Sequence, residues 1–294
     1  MKQSAPTHRR QKRFVFSSND RRRATRLLLL SALGFAVALA SGRSHARSPE
    51  RVDLSGEWRA ALDHEDVGLD EGWFARELPG DARVHLPGAL RESGIGLPVN
   101  LDTEWIGSIR YSEWEKPQYA PYRSPDNFKM PFWLQPNLHY VGTAWYQRTI
   151  DIPETWSGKR VLLYLERPHW ITTVWVDDQQ VGKCDALAVP HVFDLTDACP
   201  PGQHRLTLRI DNSLREINVG RNSHSVSDHT QSAWHGIVGD IELRAVPAVR
   251  AAKVQIYPQV ASGSAKLVFE LENHTDRSVP ATVQLTITPL PCAQ

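Results

Sequence analysis

The sequence predicts an all-β fold, and three observations predict it. Apolar residues alternate with polar ones at a period of two, as where Leu206, Leu208 and Ile210 alternate with Thr207, Arg209 and Asp211. Twenty prolines and 18 glycines break the 294 residues into short runs. After residue 46, no stretch sustains the 3.6-residue period of a helix. Short antiparallel strands packed as a sandwich satisfy all three.

Residues 1–46 are set apart by charge. They hold ten of the 34 basic residues and one of the 33 acidic ones, leaving 24 against 32, a net of −8, in the remainder. A basic stretch ending in Arg21, Arg22, Arg23 and Arg26 precedes the apolar run Leu27 to Ala40, and Ser44-His45-Ala46 follows. This order is that of a signal peptide with small residues at its cleavage site. The run has 14 residues, short of the roughly 20 that span a bilayer. The chain is therefore expected to be exported, periplasmic or secreted, to begin at Arg47 once cleaved, and to be free of the membrane thereafter. Sec and Tat export both remain open, since three arginines precede the run but Ala24-Thr25 follows them.

Composition excludes whole classes. With 41% apolar and 23% charged residues the chain is neither disordered, collagen-like nor a multi-span membrane protein. An acidic mature chain has no electrostatic reason to hold phosphate backbones, so nucleic acid is not an expected partner. Of three cysteines, Cys184 and Cys199 lie near each other in sequence; two small buried thiols are expected there, a disulfide being the alternative, with Cys292 left over.

Along the mature chain, Arg160 to Glu166 and Ile171 to Val176 are apolar on both faces, as central strands are, and Ile241 and Leu243 alternate with Glu242 and Arg244. Turns are expected at 153–158, 177–180 and 200–202, where Pro, Gly, Asp and Ser gather. Gly56, Gly88, Gly182 and Gly236 fall where strands turn, as residues able to take positive φ. Trp145 and Trp175 lie within strands as core or inter-sheet packing, and Asp194 and Asp211 sit at strand ends to cap backbone donors.

From Glu104 to Gly142 the pattern is lost among five prolines and the rings of Trp105, Tyr111, Trp114, Tyr119, Tyr122, Phe128, Phe132, Trp133 and Tyr140. Two readings stand: a stacking platform for a polysaccharide, or a long lid that buries its own rings against the sandwich and a missing barrel. After Pro247, Val254 and Ile256, then Leu267, Phe269 and Leu271, then Val283, Leu285 and Ile287 predict three strands of an immunoglobulin-like sandwich. Such a sandwich takes about seven strands in ~100 residues, so residues 248–294 read as a partial one.

Residues 218–235 concentrate Asn218, Arg221, Asn222, His224, Asp228, His229, Gln231 and His235 beside Trp234. Amides and carboxylates recognise sugar hydroxyls, and an aromatic ring stacks on the C–H face of a sugar. A solvated loop held by its own hydrogen bonds is the other reading. The spacings of His224, His229 and His235 match no zinc pattern, and a triad of Ser225, His229 and Asp240 would lack a nucleophile elbow. No metal and no cofactor are expected.

Taken in order, Leu54-Ser55-Gly56-Glu57-Trp58, Leu86-Pro87-Gly88, Gly142-Thr143-Ala144-Trp145-Tyr146-Gln147-Arg148, Ile152-Pro153, Trp156 to Arg160, Val174-Trp175-Val176-Asp177, Val181-Gly182, Phe193 to Thr196, Asp211-Asn212 and Gln231 to Gly239 resemble the amino-terminal sugar-binding domain of glycoside hydrolase family 2, the family of β-galactosidases and β-glucuronidases. The resemblance implies a jelly-roll (galactose-binding-like) β-sandwich over 47–247, then the partial immunoglobulin-like domain over 248–294. It implies a terminal β-linked sugar as ligand and retaining hydrolysis as the parent reaction. It also singles out Asp228, His229, Gln231 and Trp234, in the loop before the equivalent tryptophan, as ligand contacts; Asn222 and His224 join them as candidates from loop composition. Where the family commonly has Asn-Gly or Asp-Gly this chain has Asp177-Asp178, and where many members have arginine it has Gly239.

The family's two catalytic glutamates sit on a TIM barrel of about 250 residues beyond the immunoglobulin-like domain. The Asn-Glu pair that marks one of them is absent from the 294 residues. No catalytic residue is therefore assigned. The expected roles are a sugar-binding, supporting part of an exported hydrolase, with a missing barrel as partner, or a self-standing carbohydrate-binding module. A disrupted gene is the third reading.

Overall fold

The computed structural model describes the backbone of residues 12–16, and residues 50–106, 114–130, 134–216, 220, 223, 226, 228 and 233–283. The chain divides into two compact units, Ser48–Val246 and Met1–Arg47 with Pro247–Gln294. In chain order the strands among the described residues are β1 (Lys12–Phe16), β2 (Glu50–Asp53), β3 (Gly56–Asp63), β4 (Arg83–Leu86), β5 (Gly88–Ala89), β6 (Leu97–Pro98), β7 (Leu138–His139) and β8 (Thr143–Ile152). They continue with β9 (Arg160–His169), β10 (Ile171–Val176), β11 (Gln179–Cys184), β12 (His191–Asp194), β13 (Gly202–Asp211), β14 (Gly236–Val246), β15 (Val249–Gln259) and β16 (Ser264–Asn273).

Two antiparallel sheets form the unit 48–246. One has the order β11-β10-β13-β8-β3-β4; the other runs β12-β9-β14-β2, with β5 also on β14. The alternating apolar residues face inward, and Leu206, Leu208 and Ile210 meet Leu163, Leu165, Ile241 and Leu243 in one core with Trp58 and Tyr146. This is the expected all-β sandwich, and its strands pair in the register the alternation requires, Leu208 opposite Tyr146 and Leu163 opposite Leu243.

The polar positions of β13 depart from expectation. Thr207, Arg209 and Asp211 are as buried as their apolar neighbours. The segment between β3 and β4 folds over this face and brings Trp73, Phe74 and Leu78 onto Trp145 and Trp175. The two strand tryptophans thus pack outside the sandwich core, with ring centroids 5.3 Å apart. Buried polar groups there satisfy one another. Trp145 Nε1 donates to Asp63 Oδ2 at 2.9 Å, Gln147 Nε2 to the Arg76 carbonyl at 2.8 Å, and Arg209 Nη2 to Asp66 Oδ1 at 2.8 Å.

The turn between β10 and β11 is the tight two-residue kind, and Asp177 takes the left-handed conformation (φ 54°) that Asn-Gly hairpins give to their first central residue. Its carboxylate accepts from the Arg205 amide and pairs with His204 Nδ1, both at 2.9 Å. Burial opposes the charge, but those hydrogen bonds hold the Asp177 carboxyl below its ordinary range, and the same contact raises His204.

Gly56 and Gly236 have positive φ, whereas Gly88 and Gly182 do not; these two are small because the His85 carbonyl and the Phe193 ring lie against them. Gly239 stands at the β-bulge of β14 with φ 78°, where any Cβ would overlap the Glu166 carboxylate. An arginine has no room there. Cys199 is buried, which pushes its thiol up to about 12, while Cys184 is only half-buried, and neither is paired.

In the other unit β15 and β16 form an antiparallel hairpin turned through Val260–Ser262, and the backbone of β1 pairs with β16. Val254 and Ile256 are exposed on it and Phe269 is buried. Of the third expected strand, Val283 is not in a strand, and Leu285 and Ile287 lie outside the described residues, as do Cys292 and the apolar run Leu27 to Ala40.

Candidate functional site

The connection from β13 to β14 is anchored by side chains at its two ends. Asn212, directly after β13, is fully buried. Its Oδ1 accepts from the Gly142 amide at 2.9 Å, and its Nδ2 donates to the carbonyls of Tyr140 (3.2 Å) and Trp234 (3.1 Å). Asp211 accepts from the Ser213 amide at 2.8 Å, the expected cap.

At the far end His235 is buried between three partners. The Tyr146 hydroxyl lies 2.8 Å from Nδ1, and Nε2 faces the carbonyls of Ile210 (3.1 Å) and Gly142 (3.2 Å). Carbonyls only accept, so Nε2 carries the proton and Nδ1 accepts from Tyr146. Burial, helped by the nearby charge of His169, pushes His235 down to about 4. The folded protein therefore holds this ring neutral, while the unfolded chain protonates it below its ordinary 6.5. This stability is fully present above pH 6.5 and is lost as pH falls toward 4, a change on the order of 3 kcal/mol. Urea midpoints at pH 7 and pH 4.5 should differ accordingly, and His235→Gln should flatten the dependence across that window.

Between these anchors Trp234 is half-buried. Its ring stacks on His169 with centroids 4.7 Å apart and planes 23° from parallel, and its carbonyl accepts from His169 Nδ1 at 2.6 Å. Asp228 is fully buried, and its two oxygens accept from the amides of Ile106 and Ala233. It joins the loop to the aromatic segment and holds Trp234 from the next residue. Asn222, His224, His229 and Gln231 lie outside the described residues, as do Ser225, Asn218 and Arg221.

The aromatic segment is closed at its neck by β6 pairing with β7. Within it Trp114 and Met130 are buried, and Trp105 and Phe128 pack on them. These rings bury one another in a cluster separate from the sandwich core; Tyr111, Phe132 and Trp133 lie outside the described residues. Beside Ile106 a cavity of about 520 Å³ opens between His64, Asp102, Glu104, Trp105, His139 and Tyr140. Among the described residues no three His, Cys, Asp or Glu side chains gather as a metal site would require.

A half-exposed indole held rigid by buried partners suits the C–H face of a sugar, and a flexible loop would have to be ordered before it could do the same. Sequence reasoning pointed to Asp228 and Trp234 as ligand contacts, from loop composition and the family resemblance. The structure instead buries Asp228 completely, with both oxygens taken by backbone amides, so its place is structural. Sequence reasoning missed Asn212 and His169, whose roles depend on partners distant in sequence.

The chain belongs to glycoside hydrolase family 2, whose sugar-binding-domain model matches residues 52–247. It is 28% identical over 192 residues to the β-glucuronidase of Canis lupus familiaris, covering 60% of this chain and 24% of that enzyme. With the β-galactosidase of Aeromonas hydrophila it shares 23% over 252 residues, 82% of this chain and 22% of the relative. The chain thus spans about a quarter of the length of these relatives. A solved β-glucuronidase of Ruminococcus gnavus in complex with D-glucuronic acid superposes with a TM-score of 0.51 at 16% identity, over 75% of this chain and 34% of that one, and shows the same fold.

Proposed function

We propose that residues 48–246 bind and position a terminal β-linked sugar for an exported family 2 hydrolase, and that the 294 residues are not catalytic alone. The single observation that carries this is the rigid, half-exposed Trp234, locked by Asn212, His169 and Asp228 in a domain that belongs to the family. Trp234 stacks on the sugar, and His229, Gln231, Asn222 and His224 supply hydrogen bonds to its hydroxyls. Asp228 acts as the clasp of that loop. Retention needs two carboxyl groups about 5–5.5 Å apart, one nucleophile and one acid/base. In this reading both belong to a barrel outside these residues.

The purified 294-residue chain should release no chromophore from nitrophenyl β-glucuronide or nitrophenyl β-galactoside; turnover above the buffer blank would sink the proposal. Cell fractionation should find the chain outside the cytoplasm, with Arg47 as its first residue. The self-standing binding module is kept as a second reading because the unit 48–246 closes its own core. Reading the gene beyond codon 294 separates the two: a barrel with Asn-Glu in frame supports the hydrolase, and an unrelated gene supports the module.

A further inference from the structure

We infer that the outer edge of β16 is a strand-addition site whose occupant is this chain's own segment Lys12–Phe16, a cover that any cut before Arg47 takes away. Strand pairing alone carries this, within the unit formed by residues 1–47 and 247–294; the export reading supplies only the cut.

A two-stranded hairpin is marginally stable in water, and a third strand is what lets such a sheet hold. Here β15 and β16 are the hairpin and β1 is the third strand, in the order β1-β16-β15. Residues directly opposite one another in antiparallel strands share a face, so the two registers define rows across all three. On one face Phe14, Phe269 and Val254 form a row, and Phe16, Leu267 and Ile256 form the next in that pattern. Val254 is 50% and Ile256 64% exposed, so the hairpin has an apolar face that the two phenylalanine positions continue. On the other face Glu270 stands between Arg13 and Lys253, a carboxylate in a row with two cations.

The match between segment and edge is therefore one of pattern. Main-chain hydrogen bonds give a strand addition its affinity, and alternate side chains give it specificity. A slip of one residue would set Arg13 against Leu271 and Phe14 against Glu270, which breaks both kinds of row at once. Phe14, Val15 and Phe16 are strong strand formers, and residues 1–19 hold five lysines or arginines and no aspartate or glutamate. An open edge beside an apolar face is a template for pairing with other chains. A cover that travels with the chain keeps β16 closed until the chain is cut.

The test uses the uncut 294-residue chain, made by cell-free synthesis without membranes so that nothing is removed. Successive amides of a strand point to opposite sides, so in the double variant Phe14→Pro with Val15→Pro one of the two prolines deletes a ladder donor. Hydrogen exchange of the β16 amides at 267–271 should be about tenfold or more faster in this variant than in the parent. A labelled peptide of residues 9–19 should bind the double variant saturably, slow that exchange again, and leave the parent unbound. Lys12→Glu with Arg13→Glu in the peptide should weaken binding by about threefold or more. Thr25→Pro, outside β1, should behave as the parent. All ten tryptophans lie in 48–246, so an unchanged fluorescence midpoint shows that this unit is folded in each variant. Equal exchange in parent and double variant, or peptide bound by both alike or by neither, overturns the inference. Self-association of the double variant that the peptide does not reverse gives the edge to a second copy of the chain and overturns it as well.

Discussion

Gly236→Ala is expected to cost about 3–5 kcal/mol, the sum of a strained backbone and an overpacked contact. Gly236 has φ 148°, a value that side chains with a Cβ rarely adopt. A Cβ there would overlap the Gly88 carbonyl oxygen and lie 3.0 Å from the Ala89 Cα. These neighbours are backbone atoms of β5, paired with β14 at Gly236 and Ile237, so no rotamer change relieves the clash. Since domains are stable by only about 5–15 kcal/mol, the variant should lose much of its urea midpoint or fail to accumulate. Gly158→Ala is the control. Its φ of 75° is also unfavourable to alanine, but no atom lies within 4 Å, so strain alone should cost about 1 kcal/mol. Similar losses in both variants would mean that the approach of β5 to β14 yields easily.

Asp228→Ala is expected to release the functional loop and leave the sandwich standing. The carboxylate is fully buried and satisfies the amides of Ile106 and Ala233; without it each amide loses an acceptor at about 1–3 kcal/mol. That sum exceeds the free energy holding most surface segments closed, while the hydrogen bonds at stake tie two connecting segments and none of the core strands. Limited proteolysis should therefore gain cuts in 99–137 and 214–233, with the urea midpoint of the sandwich little moved. Asp228→Asn keeps one acceptor oxygen and should give an intermediate pattern. Global unfolding of the alanine variant would show that Asp228 supports the core instead.

The sandwich was legible because one face of each strand is chemically uniform. Leu206, Leu208 and Ile210 announce β13 by themselves, and β9, β10 and β14 follow from similar local patterns. The second buried face was not legible. Thr207, Arg209 and Asp211 read as solvent-facing until the 64–82 segment covers them, and that contact joins residues more than a hundred positions apart, as in the bond from Arg209 to Asp66. The site divides in the same way. Trp234 and Asp228 stand out in a loop crowded with polar residues, whereas Asn212 is an ordinary residue after a strand until its side chain reaches Gly142, 70 positions away.

The neck made by β6 and β7 has a consequence for how such a domain diversifies. Two residues on each strand bring the ends of the 99–137 segment together, and among the described residues the clasp from Asp228 to Ile106 ties it to the β13–β14 connection. Doubling a closed loop costs only about 0.6 kcal/mol in chain entropy. Insertions and deletions inside the neck are thus nearly free for the fold, while each one reshapes the wall that carries Trp105. Length as well as substitution can therefore reshape this segment without disturbing how the strands pair.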